Sequence, residues 1–303
     1  MKNSSLQWPL LSEVVGRENV NIKFTKGPVV SKVIHFIFGL DEKFIDKPFS
    51  FFNYLCILSA KVANPSYQIN IFYKYRPNSI YFDKLESFCN LINLDSESPL
   101  TPEQQQNLEQ IDFKYVEHKG DLLRLYILYN YGGIYLDVDV VCMKSFDNLL
   151  AHPMTMGKEY ARYKNIPYYK VFIGLCNAVI LCEPKNPFIQ IWIDKYFTEF
   201  KREVWDYNSI QVPSYVSKEN PHLINIQPQN SFFKFSYDCE GFLNLFEYDS
   251  DISDCYCLHL WTSMYGKYLD KYNKESYFAD RSNTLSKIFK EVLRNEDINN
   301  YRR

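Results

Sequence analysis

Apolar and polar positions along this chain fall into short β-like runs separated by stretches of helical period. Residues 30–39, VSKVIHFIFG, form a β-rich run ended by glycine and predict a strand entering a loop. Residues 51–64 carry a helical pattern that stops at Asn64-Pro65. Residues 67–75, YQINIFYKY, predict a second strand closed by Arg76-Pro77-Asn78, and 79–93 read as a helix. The polar stretch 94–110 holds the helix-start residues Ser98, Thr101 and Pro102 and predicts a surface excursion; 113–118, FKYVEH, is a third strand candidate. Further on, 171–184 predict a strand pair or strand-turn, 186–200 a helix and 254–261 a strand, while 201–250 show no assignable period. The tail 283–295 predicts an amphipathic helix, with Leu285, Phe289, Val292 and Leu293 on one side and Lys287, Lys290 and Arg294 on the other. Packing on a sheet explains that pattern better than docking on a membrane surface does. The alternation of strands and helices predicts an α/β fold with a mostly parallel sheet and a Rossmann-like first half. No repeat or Gly/Ser/Pro linker divides the 303 residues, which read as one domain with insertions.

Composition narrows the function. The net charge is -2 and no Lys/Arg-rich run appears, so the footprint of a nucleic-acid binder is missing. Aromatics reach 17%; ring-stacking clefts would use them, but core packing accounts for more of them. The 8 cysteines form no CxxC pair and most sit in apolar runs, which predicts reduced, buried thiols; the Cys255/Cys257 spacing matches no zinc motif. The first residues lack a long apolar region, and no stretch approaches the ~20 apolar residues of a membrane span. The expectation is a soluble, cytoplasmic protein.

The segment GDLLRLYILYNYGGIYLDVDVV, 120–141, holds the strongest chemistry. Asp121 reads as the start of a helix, where a carboxylate suits the partial positive charge, and Arg124 three residues on shares its side. Leu122, Leu125 and Tyr129 share a face, and Gly132-Gly133 ends the helix. Residues 134–141 then alternate: Ile134, Leu136, Val138 and Val140 face one way, Tyr135, Asp137 and Asp139 the other. On one strand the two aspartate Cα atoms would lie ~6.6 Å apart. Carboxylates that close repel unless a cation joins them, and hard oxygen ligands suit Mg²⁺ or Mn²⁺. A solvated strand face would show the same D-x-D; the Asp-x-x-Arg, Gly-Gly and Tyr beside it favour a site.

This block resembles the signature of the DXD glycosyltransferases that bind nucleotide sugars. It is most similar to family 32, which includes α-mannosyltransferases and capsular polysaccharide enzymes, and it resembles the clostridial toxin glucosyltransferase domains and the α-1,4-galactosyltransferases. The pattern S/G-D-x-x-R-x-x-x-L-x-x-x-G-G-x-Y-x-D-x-D is met at every fixed position from Gly120 to Asp139. VSKVIHFIFG resembles the family's opening strand with Phe38 where Trp is usual. NAVILCEPKNPFIQ resembles a later element with Asn186 where His is common, and LHLWTSMY resembles the C-terminal H-x-W strand.

The resemblance implies a GT-A fold, an α/β architecture with a Rossmann-like nucleotide half, a mixed central sheet and helical insertions. The halves would span about 30–147 for the nucleotide sugar and 148–265 for the acceptor, with a helical tail at 266–303. It implies that Asp137, Asp139 and His259 hold Mn²⁺ or Mg²⁺, and that Asp137 also faces the donor. The donor-binding residues would be Phe36, Ile37 and Phe38 at the base, Tyr135 near the ribose, and Asp121 and Arg124 at the sugar hydroxyls. Asn177 would line the sugar pocket, and Trp261 and Ser263 the diphosphate. Metal binding of phosphate fits a chain with 10 Gly and no GxGxxG or Walker pattern. The implied reaction is retaining transfer of a hexose from a nucleotide sugar (UDP-sugar, or GDP-mannose) to a glycan or protein hydroxyl. No nucleophile is assigned. The residues alone leave two alternatives: a nucleotide-sugar hydrolase or nucleotidyltransferase, and a Ca²⁺- or sugar-binding module without catalysis.

Overall fold

The computed structural model of the chain describes residues 29–45, 49–161 and 171–300, with side chains through Glu296. The expectation drawn from the first residues of the chain lies outside this range. Nine strands are described: β1 (Val33–Phe38), β2 (Gln68–Tyr73), β3 (Asn90–Asn93), β4 (Gly133–Leu136), β5 (Val140–Cys142), β6 (Met154–Ala161), β7 (Val171–Cys182), β8 (Asn225–Gln227) and β9 (Cys257–His259). The α-helices are α1 (Phe51–Ala63), α2 (Ile80–Lys84), α3 (Pro102–Gln110), α4 (Val116–Tyr131), α5 (Pro187–Thr198), α6 (Val212–Glu219), α7 (Gln229–Phe232), α8 (Cys239–Phe246), α9 (Thr262–Leu269), α10 (Glu275–Ala279) and α11 (Thr284–Asn300).

Seven strands form one sheet in the order β3-β2-β1-β4-β7-β6-β8, and β5 pairs with β9 in a second, two-stranded sheet. Strands β3, β2, β1 and β4 run parallel, β7 is antiparallel to both β4 and β6, and β6 pairs β8 in parallel. The α/β class with a mixed sheet, expected for a GT-A enzyme, is the one observed. Two apolar layers cover its faces. One packs β1 and β2 against α1, α8 and α11, and the other packs the sheet against α4, α5 and α6. The tail helix buries Leu285, Ile288, Phe289 and Val292 against that first layer, so its apolar side is spent on packing.

Local chemistry explains where several elements begin. Ser50 caps α1 in a reciprocal box with Asn53, and Thr101 does the same for α3 with Gln104. Helix α4 stops because Gly132 takes φ 63° and Gly133 takes φ 98°. A Cβ at Gly133 would also lie 2.7 Å from the Val33 carbonyl and 3.0 Å from the His35 ring, so only glycine fits between β1 and β4. His35 Nε2 meets the Gly132 carbonyl at 2.9 Å, and burial pushes this histidine's pKa down to about 4.

Four element expectations need correction. Only 80–84 of the stretch 79–93 is α-helix; Asn90–Asn93 is the edge strand β3, because Asn90 to Asn93 complete parallel pairing with β2. Residues 116–118 open α4 instead of extending a third strand, so Asp121 sits inside the helix and not at its start. The segment 171–182 is one 12-residue strand, since it spans between β4 and β6 and bonds both. Finally, 134–141 is not one strand. Leu136 ends β4, Val140 begins β5, and the intervening residues form a turn closed by the Val140 N–H donating to the Asp137 carbonyl at 3.0 Å.

Candidate functional site

A cavity of about 750 Å³ opens where β1 and β4 end. Its walls come from the end of β1, the first turns of α1 and α4, the β4–β5 turn, Cys176 and Asn177 of β7, and the β9–α9 junction. A volume of this size suits a ligand with several rings. A second, more polar hollow of about 440 Å³ around Lys234, Glu240 and Asp251 lies apart from all the candidate residues.

The β4–β5 turn brings the two aspartates together by a route that alternation did not foresee. The Asp137 N–H donates to the Ala178 carbonyl at 3.0 Å, and the Leu260 N–H to the Asp139 carbonyl at 3.0 Å, which pins the turn between β7 and β9. Pairing of β5 with β9 sets Val140 opposite His259. His259 Nε2 then lies 3.2 Å from Asp139 Oδ1, while Asp139 Oδ2 accepts from the Thr262 N–H at 2.8 Å. Burial opposes ionisation of Asp139, yet His259 and the Thr262 amide overcome it and hold its carboxyl well below the usual range. The same pairing raises His259 against the opposing effect of burial, with Asp139 as the main cause.

One ligand atom each from Asp137, Asp139 and His259 lies within 4.8 Å of the others. Two carboxylate oxygens and an imidazole suit Mn²⁺ or Mg²⁺, and the cluster faces an open cavity where substrate oxygens could complete the shell. Trp261 braces this centre. Its ring centroid is 4.1 Å from that of His259, its indole N–H donates to the Phe235 carbonyl at 2.8 Å, and its backbone takes the strained φ of 52°.

Arg124 organises the remaining acids. Its guanidinium lies 3.0 Å from Asp121, 3.1 Å from Asp137 and 2.9 Å from the Asn177 carbonyl, and it stacks 4.4 Å above the Tyr135 ring. Burial disfavours its charge, but Asp137, then Tyr135 and Asp121, more than restore it. Asp121 is also held by the Asn177 side-chain amide at 2.7 Å; burial pushes its carboxyl upward against the pull of Arg124 and Asn177. The Tyr135 hydroxyl donates to Asp137 at 2.8 Å.

Of the residues singled out in the sequence, Ile37, Phe38, Asp121, Arg124, Tyr135, Asp137, Asp139, Asn177, His259, Trp261 and Ser263 all line this one cavity. Phe36 does not. It is fully buried in the α1-side layer, on the same face as Phe38 but one step further from the strand end where the cavity opens. Sequence reasoning did not find Thr262, whose amide holds Asp139, or Cys176, Trp205 and Lys267 on the walls. Trp205 had one signal, a tryptophan inside the charged run KREVWD. All 8 cysteines are free thiols, seven of them buried and Cys239 exposed. Among the described residues, no helix is long and apolar enough to cross a membrane.

A buried acid–imidazole pair beside an arginine-linked acid cluster, in one cavity of an α/β fold, is a setting that a glycosyltransferase would use. Residues 55–155 match the family model described as a glycosyltransferase sugar-binding region containing the DXD motif. Over 284 residues it is 27% identical to "Glucan organizing enzyme 1" of Cryptococcus neoformans var. grubii, covering 92% of this chain and 75% of that one. It is 49% identical over 47 residues to "Inositol phosphoceramide mannosyltransferase 3" of Schizosaccharomyces pombe, spanning 15% of this chain and 13% of the relative. Among solved structures it is similar to "PaToxG Glycosyltransferase", with TM-score 0.47, 22% identity and coverage of 66% of this chain and 72% of that one.

Proposed function

We propose that this glycosyltransferase is divalent-metal dependent and retaining, and that it moves a hexose from a nucleotide sugar, UDP-hexose or GDP-mannose, to a hydroxyl of a glycan or other acceptor. The observation that carries the reading is the convergence of Asp137, Asp139 and His259 within 4.8 Å on the cavity wall. Asp139 and His259, with Asp137, would hold the ion, which when bound acts as a Lewis acid on the leaving diphosphate. The chain's own groups do the rest. Asp121 accepts from donor hydroxyls, and Asn177, already bonded to it, fixes its direction. Arg124 keeps Asp121 and Asp137 apart and oriented by bonding both. Phe38 and Ser263 line the same cavity, and in this reading they face the base and the diphosphate. Among the cavity's side chains none is assigned as nucleophile, which suits a front-face displacement whose rate comes from positioning and electrostatics.

The test is a screen of UDP-Glc, UDP-Gal, UDP-GlcNAc, UDP-GalNAc and GDP-Man with Mn²⁺ for nucleoside diphosphate release. One donor is expected to turn over with wild type and fall by roughly a thousandfold with Asp139→Asn, the scale of losing a main electrostatic stabiliser. Absence of binding and turnover with every donor, or an unaffected Asp139→Asn variant, would sink the reading. Proton NMR of the first-formed product gives the anomeric configuration; an inverted product removes the retaining part.

A further inference from the structure

Two separate groups of aromatic side chains line the cavity. Phe38, Phe44 and Phe52 lie with the start of α1 in one, and Trp205 lies beside the start of α4 in the other. Asp121, Asn177 and the Asp139–His259 pair line the same cavity. The two tryptophans of the cavity differ sharply: Trp261 is 6% exposed, Trp205 is 50% exposed. Yet Trp205 is firmly held. Its carbonyl accepts from His118 Nε2 at 3.2 Å, and its ring meets Tyr115 edge-on at 5.2 Å. The residues before it tie the segment to the chain preceding α4, through Arg202 to Asp112 at 3.2 Å and through Glu203 to Lys114. A large apolar ring left half in water, while its edge and backbone are fixed, is a surface kept for something flat with an apolar face.

We propose that the Trp205 indole is the stacking platform for the pyranose ring of the acceptor. This rests on the glycosyl-transfer reading above. A pyranose has a C–H face that suits an indole and a rim of hydroxyls that stays in water or finds polar groups. Glu117, exposed on the same wall, offers a carboxylate to that rim. The donor's base has its own aromatic group at Phe38 and Phe44, and its hexose has Asp121 and Asn177. The ring left to reach Trp205 is the one being modified.

The experiment titrates the full chain, preloaded with Mn²⁺ and UDP or GDP, with methyl α-D-mannopyranoside, methyl β-D-glucopyranoside and methyl β-D-galactopyranoside. Binding is read by saturation-transfer NMR and calorimetry. Wild type is expected to bind at least one glycoside, Trp205→Ala about tenfold more weakly, and Trp205→Phe within about threefold, as loss or retention of a stacked ring predicts. Nucleotide affinity should stay within about twofold in both variants, as it should when the base stacks elsewhere. Failure of wild type to bind any of the glycosides, or equal sugar binding by Trp205→Ala, overturns the assignment. So does loss of nucleotide affinity in Trp205→Ala, which would move the residue to the donor. Binding of wild type to phosphatidylcholine vesicles that Trp205→Ala abolishes, with sugar affinity unchanged, overturns it in favour of a bilayer contact. Absence of nucleotide binding by wild type itself would instead fault the donor reading.

Discussion

The cavity contains two acidic centres separated by a single turn of chain, and they are neutralised in different ways. Asp121 and Asp137 share Arg124, a cation that cannot give up its proton in a protein. Asp139 is paired with His259, whose imidazole could serve as a metal ligand in its neutral form. The first centre is held from within by Arg124, Asn177 and Tyr135, and only Asp137, with its side chain 26% exposed, also reaches toward the second. The second is exchangeable, because a divalent ion could sit between its carboxylate and a neutral imidazole. Charge permanence separates Asp121, which shapes the pocket, from Asp139, which is suited to loading it, and Asp137 stands between the two.

One test attacks the exchangeable centre. Mn²⁺ at a hundredfold excess over its Kd should stabilise wild type by ~2.7 kcal/mol, seen as a higher Tm, and chelation should reverse it. Asp139→Asn should abolish that shift; its amide oxygen can still accept from the Thr262 N–H, so the cost in the metal-free protein is that of the lost charge beside His259, about 1.5–3 kcal/mol. A metal shift that survives in Asp139→Asn would dissolve the distinction between the centres. Arg124→Met should do the opposite. It leaves two acids without their shared cation and should cost about 3–5 kcal/mol in urea unfolding. Near-wild-type stability for that variant would mean the first centre is not structural.

A smaller, pH-dependent comparison contrasts two buried groups outside both centres. His35 has its folded pKa pushed down to about 4 from 6.5, so the unfolded chain binds the extra proton between those values. Its contribution is present above pH 6.5 and is lost as pH falls through that window, at most by ~3 kcal/mol. Glu159 on β6 is pushed up to about 7 from 4.5 by burial, and its Oε2 has no hydrogen-bond partner. Its folded form keeps the proton longer, so stability falls as pH rises from 4.5 to 7, again by at most ~3 kcal/mol. The two slopes oppose each other between about pH 4.5 and 6.5, and wild type should be nearly flat there. Glu159→Gln should stabilise the protein at pH 8 and expose the His35 slope. A flat profile for that variant would show that His35 is not held neutral.

What was legible beforehand, and what was not, follows the range of the interactions. The helix caps at Ser50 and Thr101, the Gly132-Gly133 stop and the acids of 120–139 all depend on neighbours a few residues away. The amino-acid sequence by itself therefore determined the α/β class, the glycosyltransferase signature and most of the candidate residues. It also pointed to His259, but only through the H-x-W pattern, since nothing local links position 259 to position 139. Tertiary structure decided the rest. Pairing of β5 with β9 places the imidazole against the carboxylate. An apolar–polar alternation reads the same on a strand as through a turn, so only the Val140-to-Asp137 hydrogen bond reveals how the two aspartates converge. Phe36 and Phe38 look equivalent in sequence until the packing of α1 buries one and the cavity receives the other. Trp205, in a segment without periodicity, has a place only because the chain folds it back onto the start of α4. Pairing across more than a hundred residues leaves no local periodicity to read, because its free energy comes from contacts made only when the sheet is complete.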